Sequence, residues 1–590
     1  MEVTRLIDLI DRYKALYPAK ADALAAKIDG RWVKHSAVDF IRHVEEVSYG
    51  LLAMGVRKGD KIATLSNNRP EWNFLDLGMM RIGAIHVPVY PTISAGDLHF
   101  ILKDAEVSYV FVSSQELWDK VESVTKDVEG IRGMFSFDRI PGKPHWSEIA
   151  EKGRQHPDPA SVKSICDSIG ANDLATLLYT SGTTGFPKGV MLSHNNIVSQ
   201  LYAARHLAPV DEHSRALSFL PLNHVYERVL SYLYMFLGVG IYYAESIEKV
   251  ADNLKEVQPE IFGCVPRLFE KVYDRIVSKG AELSGIKKRL FFWALDLGLK
   301  YEINGANGPV YELQLKIARK LIFSKWQEAL GGKVKAAVSG GAALQPRLAR
   351  VFWAAGIPIL EGYGLTETSP VICVNTLDPG GLKFGTVGKT IDKVTVRIAD
   401  DGEILTKGPN VMLGYYKRPD LTDEMIDKDG WLHTGDIGEM VEGKYLRITD
   451  RKKEIFKTSG GKYIVPQAIE NKLKESRFIE QAMVIGENRN FAAALVVPNF
   501  IFLREWCARK EITIPATNEE LIAMERVKNR MMKEVEEVNK KLGSYETIKK
   551  IELLPREWSI DKGEMTPKLS LKRKVILEAN ASLVERIYTS

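Results

Sequence analysis

Between two apolar runs, the stretch LLYTSGTTGFPKGVMLSH, Leu177 to His194, sets Gly182, Gly185 and Gly189 among Thr180, Ser181, Thr183 and Thr184, with a single cation, Lys188. Glycines permit tight, positive-φ turns, so successive backbone N–H groups can face one concavity and hold an anion. The hydroxyls add donors and Lys188 adds charge, which is the chemistry of a polyphosphate grip. A plain glycine-rich hairpin loop is the alternative, and the density of Ser and Thr beside a lysine weighs against it. The Walker phosphate loop, G-x-x-x-x-G-K-[ST], does not fit. Counted from Gly182, Pro187 stands where its second glycine belongs and Gly189 where its magnesium-holding hydroxyl belongs.

Three further stretches carry groups suited to a nucleotide. EGYGLTET, Glu361 to Thr368, follows the apolar run IPIL and holds Glu361, Gly362, Tyr363, Gly364, Thr366 and Glu367. Tyr363 can stack on a flat base, and Glu367 is a hard oxygen ligand suited to magnesium, a solvated loop carboxylate being the plain alternative. In SGGAAL, Ser339 to Leu344, residues Gly340, Gly341 and Ala342 let a base lie against backbone, although paired glycines are common in turns. In GWLHTGDIG, Asp436 beside Gly435 reads as an exposed carboxylate able to accept both hydroxyls of a ribose, with Arg451 as a second contact. A surface Asp–Arg pair of little energy is the competing reading.

The elements that must position these groups alternate. KIATLSNN, AIHVPVY, VSYVFVS and IPILEGYG read as strands, and HSAVDFIRHVEEVSYGLLAMG and QPRLARVFWAAG as helices, an alternation that implies α/β layers with largely parallel sheets. DLATLLYT and GVMLSH read as strands on either side of the glycine-rich loop, with Ser193 or Asn195 starting a helix. From about Arg397 the texture changes to short strands and turns, and a helix follows Pro466, with a polar helical stretch near Leu521–Leu542. The expected organisation is a large N-terminal domain, residues 1–449, of layered α/β subdomains with mostly parallel sheets, and a small α+β C-terminal lid domain, residues 450–590. The boundary is placed at the charged run TDRKKE, Thr449 to Glu454.

Composition narrows the class. At 590 residues the chain exceeds one ordinary core, and 45% hydrophobic with 27% charged residues is globular. The excess of 81 basic over 76 acidic residues gives no case for nucleic acid. Cys166, Cys264, Cys373 and Cys507 form no CxxC pair, so neither a zinc site nor a disulfide framework is expected and a cytoplasmic setting is the plain reading. The longest uncharged stretch, Val229 to Ala244, falls short of the roughly twenty residues that span a bilayer. A buried helix running into a strand is the expectation, against a membrane-touching surface.

Taken in order, YTSGTTGFPKGVMLSH, SGGAAL, EGYGLTET, GWLHTGDIG and DRKKEIFKTSGGKYIVPQAIE resemble the motifs of the adenylate-forming (AMP-binding) superfamily of acyl-CoA synthetases, luciferases and nonribosomal-peptide adenylation domains, over nearly the whole chain. The resemblance implies that the loop residues Thr180 to Gly185, with Lys188 and Thr366, contact phosphate, that Glu367 holds Mg2+, and that Gly340 to Ala342 and Glu361 to Gly364 flank the adenine. It assigns Asp436 and Arg451 to the nucleotide. LPLNHVYERV and VPRLFEKVY resemble the long-chain fatty acyl-CoA synthetase branch in particular, which places His224 and Tyr226 near the junction of nucleotide and acyl sites; by residue type alone His224 reads as a packed, hydrogen-bonded side chain. The apolar LSYLYMFLGVG just downstream suits either an acyl tunnel or core, since each buried methylene gains about 0.8 kcal/mol.

The activity so implied is ATP-dependent: a long-chain fatty acid becomes acyl-AMP, then an acyl-CoA ester of coenzyme A, with AMP and pyrophosphate released. Between the steps the C-terminal domain of this superfamily rotates about a hinge, here Lys453, and Ser459, Gly460 and Gly461 then flank the pantetheine channel. One departure stands out. Where the long-chain branch carries a lysine two residues before Lys-Arg, this chain has Ser570, and Lys568 lies two positions earlier. Either Lys568 substitutes or adenylation lacks its lysine. A fatty acyl-AMP ligase or acyl-carrier-protein synthetase, and a catalytically impaired nucleotide- and lipid-binding homologue, are the alternatives. Peripheral membrane contact and a homodimer stay open at this stage.

Overall fold

A computed structural model describes residues 2–180, 187–559, 562–566 and 571–589. It divides into two compact units, Met1–Val396 with Thr406–His433, and Arg397–Leu405 with Thr434–Ser590.

The first unit is built on two sheets. One has seven strands in the order Gly414–Tyr415, Lys188–Ser193, Leu174–Thr180, Ile85–Val89, Lys61–Leu65, Val107–Val112 and Gly133–Ser136. Its last five run parallel, and the first two close one edge antiparallel. Ile85–Val89 and Val107–Val112 are buried at every position, which is why they read as unbroken apolar runs rather than alternating ones. The other sheet has nine strands, of which Ile359–Gly364, Ala336–Ser339, Ile261–Cys264, Arg215–Ser218, Gly240–Tyr243 and Leu24–Ile28 lie parallel in that order. Helices begin where side-chain caps occur: Ser36 and Asp39 form a capping box for Ala37–Ala53, and Ser193 with Asn196 does the same for His194–Ala204.

The uncharged stretch after Val229 is core, not surface. It completes the helix Val225–Leu237, ends at Gly238 in the left-handed conformation, and continues as the strand Gly240–Tyr243, whose four residues are all buried. Among the described residues no helix is long and apolar enough to cross a membrane.

The second unit is α+β. It carries a four-stranded sheet ordered Thr395–Ile398, Glu403–Lys407, Leu432–Val441 and Tyr445–Arg451, a hairpin of Phe456–Lys457 with Tyr463–Ile464, and a three-stranded sheet of Ile479–Ile485, Ala493–Pro498 and Lys550–Leu553. The polar helical stretch near Leu521 is two helices, Asn518–Ala523 and Glu525–Asn539, separated at Met524 by extended backbone. The compact units part elsewhere than at residue 450. The strand Tyr445–Arg451 pairs with Leu432–Val441, so the charged run Thr449–Glu454 lies inside the second unit.

Candidate active site

The loop residues Ser181, Gly182, Thr183, Thr184 and Gly185, like Lys568 and Ser570 near the C-terminus, lie outside the described residues. What flanks the loop is defined. Thr180 ends one strand and Lys188 starts the next, directly opposite it in the antiparallel register. Lys188 is half-buried, with Nζ 5.3 Å from the ring centroid of Tyr415. The Tyr415 hydroxyl donates to Glu367 Oε1 at 2.8 Å, and the Met412 N–H donates to the Glu367 carbonyl at 2.9 Å. Tyr415 is held there because Gly414–Tyr415 adds an edge strand, Tyr415 opposite Val190. Burial, and then the Glu367 charge, raise the phenol so that it stays a donor. A cation, a phenol and a carboxylate thus converge where the strand Lys188–Ser193 begins. No group of three or more acidic, His or Cys side chains forms a cation cage among the described residues. A lone carboxylate fits an ion such as Mg2+ that takes its other ligands from substrate phosphates and water.

Next to this cluster lie the stretches suited to a base. Ala336–Ser339 and Ile359–Gly364 are neighbouring parallel strands with Ser339 opposite Glu361, so Gly340, Gly341 and Ala342 leave one strand beside the start of EGYGLTET. Gly341 and Ala342 are exposed, whereas Tyr363 is buried within its strand and Thr366 is buried in the 3-10 turn Thr366–Thr368 that also carries Glu367. Glu361 is buried, and desolvation pushes its carboxyl up to about 8. Gly362 and Gly364 are half-buried; a Cβ on Gly364 would lie 1.6 Å from the Pro370 carbonyl oxygen, so only glycine lets the chain fold back there. The Tyr226 hydroxyl donates to the Val338 carbonyl at 2.8 Å, and its ring would sit 3.5 Å from a Cβ on Gly340. His224 caps the helix Val225–Leu237, its Nδ1 accepting the Tyr226 N–H at 3.0 Å. The structure therefore brings Tyr226 against the strand that leads into SGGAAL, with His224 two residues before it at the helix cap, and gives His224 the hydrogen-bonded packing its residue type suggests.

The helix bearing these two residues is anchored by a buried network absent from the sequence reading. Arg228 donates from Nη2 to Asp76 Oδ1 at 2.6 Å, from Nη1 to Thr176 Oγ1 at 2.7 Å and from Nε to the Tyr232 hydroxyl at 2.8 Å. His86 adds Nδ1 to Asp76 Oδ1 at 2.6 Å and Nε2 to Thr64 Oγ1 at 2.7 Å. Thr64, His86 and Thr176 belong to three strands of the seven-stranded sheet, so one guanidinium ties the helix to that sheet. Burial is the largest influence on the Asp76 carboxyl and would raise it, but the Arg228 charge together with the contacts from His86 and Tyr232 outweighs it and holds the group below its ordinary value; burial, then Arg228, pushes the His86 imidazole down to about 4. Glu227, one residue before Arg228, is different. Neither carboxylate oxygen has a hydrogen-bond partner of good geometry, and burial, only partly offset by nearby Ser218, pushes the group up to about 8. The only sequence signal for these residues was the ERV that follows His224. Tyr415 lay unmarked in VMLGYY, because its role depends on an edge pairing far away in sequence.

The second unit gathers the remaining candidates. Asp436 was expected to be exposed, and it is buried: it lies in the ladder Leu432–Val441 directly opposite Arg451, with Arg451 Nε 3.4 Å from its Oδ1. Pairing in the sheet covers the carboxylate, while the Arg451 side chain stays half-exposed. Lys453 is exposed in the turn after that strand, and Ser459, Gly460 and Gly461 form the exposed tip of the hairpin, where Ser459 Oγ donates to Asn490 Oδ1 at 2.8 Å. Arg573, in the LKR that follows Ser570, donates from Nη1 to Glu470 Oε1 at 2.6 Å, and Met565 bridges Leu571 across the base of the segment holding Lys568.

A large unit of mostly parallel α/β sheets and a smaller α+β unit are the fold of adenylate-forming enzymes. Solved structures share it: the adenylation domain of a carboxylate reductase from Mycobacterium chelonae aligns with a TM-score of 0.77 at 21% identity, covering 99% of this chain and 91% of that one. The anthranilate CoA ligase AuaEII, in complex with anthranoyl-AMP, aligns with a TM-score of 0.72 at 19% identity, covering 98% and 97%. The AMP-binding enzyme family profile matches residues 12–416, and the profile of the AMP-binding enzyme C-terminal domain matches residues 453–590. Long-chain-fatty-acid–CoA ligase FadD15 of Mycobacterium bovis is 35% identical over 566 residues, covering 95% of this chain and 93% of that protein. Human long-chain-fatty-acid–CoA ligase 1 is 33% identical over 599 residues, covering 93% and 82%. The chain belongs to the AMP-binding enzyme family, in the branch of these long-chain acyl-CoA synthetases.

Proposed function

We propose that this protein is an AMP-forming long-chain fatty acid–CoA ligase. A fatty carboxylate oxygen attacks the α-phosphorus of ATP, forming the acyl phosphate bond as the bond to pyrophosphate breaks. The thiol of coenzyme A then attacks the acyl carbonyl, the thioester forms and AMP leaves. The observation that carries the reading is the convergence of Lys188, Tyr415 and Glu367 at the start of the strand that follows the glycine-rich stretch. Positioning and charge neutralisation supply most of the catalysis in phosphoryl chemistry, and a half-buried ammonium is suited to both. Glu367 would hold Mg2+, which when bound neutralises phosphate charge. Tyr415 fixes the carboxylate in place, and the loop donors Thr180 to Gly185, with Thr366, hold phosphate oxygens.

In the same reading Gly340 to Ala342 and Glu361 to Gly364 enclose the adenine beside Tyr363, Asp436 and Arg451 bind the ribose side of the nucleotide, and His224 with Tyr226 borders the acyl group. Lys568 takes the part of the lysine that Ser570 lacks. Residues 450–454 form the pivot of the C-terminal lid, centred on Lys453, and Ser459, Gly460 and Gly461 border the pantetheine arm. We place the enzyme in the cytoplasm, in peripheral contact with the membrane that holds its substrate; assembly as a homodimer is a separate proposal for light scattering to decide.

The test incubates the purified protein with palmitate, Mg2+ and ATP, with and without coenzyme A, and quantifies palmitoyl-AMP and palmitoyl-CoA by mass spectrometry. Thioester appearing only with coenzyme A is the expected result. Adenylate with no thioester transfers the reading to an acyl-AMP ligase or a carrier-protein acceptor, and neither product refutes it for palmitate. Lys568→Ala should slow adenylate formation by about a hundred-fold, the size of effect when one preorganised charge contact is removed; an unchanged rate would show that Lys568 is not the missing lysine.

A further inference from the structure

The helical segment Pro309–Ala318, continued by Arg319–Phe323, presents an inverted surface. Its buried side is ordinary: Leu315, Ala318 and Phe323 pack into the core of the first unit. Its solvent side is not polar. Val310, Leu313, Ile317 and Leu321 are 71%, 62%, 46% and 51% exposed. At 100° per residue Val310, Leu313 and Ile317 fall within about 60° of one another, and Leu321 follows one wide turn on in the π-helical continuation, so the four form one stripe about 15 Å long. Scattered exposed leucines need no explanation, but an aligned row on a surface helix marks an interaction site.

The flanks indicate what covers it. Lys316 and Lys320 are exposed along one edge with no ion-pair partner among the described residues, whereas Lys325, further along, is neutralised by Glu328 at 2.8 Å. An apolar row beside a cationic edge is the pattern of a helix lying in a membrane interface, its apolar side chains among acyl chains and its ammonium groups at anionic headgroups. A second copy of this chain fits less well. Apposing two such stripes antiparallel about a two-fold axis sets the Lys316 and Lys320 edge of one copy against the same edge of the other, which is repulsive.

We propose that Val310, Leu313, Ile317 and Leu321, with Lys316 and Lys320, dock this protein on an anionic lipid surface. This deepens the membrane contact proposed above by giving it a location, and its readout is independent of ligase turnover. Full-length protein without substrate is sedimented with vesicles of phosphatidylcholine, with and without phosphatidylglycerol, at low and high salt. Binding is expected to require the anionic lipid and to weaken with salt. Leu313→Gln with Ile317→Gln should lower vesicle affinity at least about ten-fold, the loss of roughly one buried side chain's transfer energy or more. Lys316→Glu with Lys320→Glu should do the same by charge alone. Because these side chains lie in solvent, both variants should keep the wild-type thermal midpoint. Wild-type protein that ignores vesicles, or variants that bind as well as wild type, would overturn the proposal. So would a wild-type dimer that the apolar variant splits on light scattering, which assigns the stripe to a second copy. Palmitoyl-CoA formation measured in parallel separates failure of the ligase reading from failure of the docking helix.

Discussion

Tyr415 touches both a cation and a carboxylate, yet carries no charge itself: its ring lies beneath Lys188 and its hydroxyl holds Glu367. Tyr415→Phe keeps the ring and deletes the donor. The fold should lose only about 1 kcal/mol, the net worth of a typical hydrogen bond. The rate of pyrophosphate release should fall about ten-fold as Glu367 loses its fixed orientation, with little change in the KM for the fatty acid. A wild-type rate would show that the phenol is mere packing. Glu227 makes a different statement, about pH. Burial raises its folded pKa from an ordinary 4.5 to about 8, so the folded state prefers the protonated form more than the unfolded chain does. Its stability contribution is complete below pH 4.5 and is lost as pH rises through about 8. At about 1.4 kcal/mol per unit, going from pH 5 to pH 8 should destabilise the protein by about 3 kcal/mol through this group, and Glu361 adds the same sign. Glu227→Gln keeps the shape and removes the ionisation. Its thermal midpoint should therefore exceed that of the wild type at pH 8 and converge with it near pH 5; parallel curves across that range would sink the argument.

The helix Val225–Leu237 presents His224, Tyr226 and Glu227, and what fixes its position is the Arg228 network rather than its apolar face alone. Breaking a buried ion pair by removing one partner leaves an uncompensated charge and typically costs about 3–5 kcal/mol. Asp76→Ala should cost that much in denaturant unfolding, and a loss below about 1 kcal/mol would mean that Arg228 finds another partner or water. Much at this scale was legible in the sequence. Unbroken apolar runs such as VSYVFV read as strands covered on both faces, and Ser193 announced its helix by cap chemistry. The ordered motifs also located the strands that meet beside Gly340 and Glu361. What the sequence withheld depends on pairing across long separations. Asp436 looked exposed beside a glycine, and only its register opposite Arg451 buries it. Tyr415 joins the site through an edge strand more than two hundred residues from its partner Val190, and Asp76 and Arg228 meet across 152 residues. No local period or spacing marks such contacts.

For the whole molecule, two half-reactions have to be served by one chain, and the proposed pivot can be examined from either side within the second unit. Upstream, Lys452 is pinned by Asp401 at 2.6 Å and Glu403 at 2.8 Å. Downstream, the hairpin begins at Phe456, and the profile of the C-terminal domain begins at residue 453. Between these fixed points lies an exposed turn, closed by the Glu454 N–H donating to the Arg451 carbonyl at 2.9 Å, so the backbone torsions available for a rotation are those of Lys453 and its neighbours. Proline there locks φ near −65° and removes the torsion without touching either sheet. If the lid turns about this point after adenylation, Lys453→Pro should leave palmitoyl-AMP formation within about three-fold of wild type while palmitoyl-CoA formation from preformed adenylate falls at least about ten-fold, the signature of a conformational step that gates only the second reaction. Lys453→Ala, which keeps the torsion, should show neither change. Equal loss in both half-reactions would mean that proline has distorted the nucleotide contacts of neighbouring Arg451, and equal retention would place the pivot elsewhere in the chain.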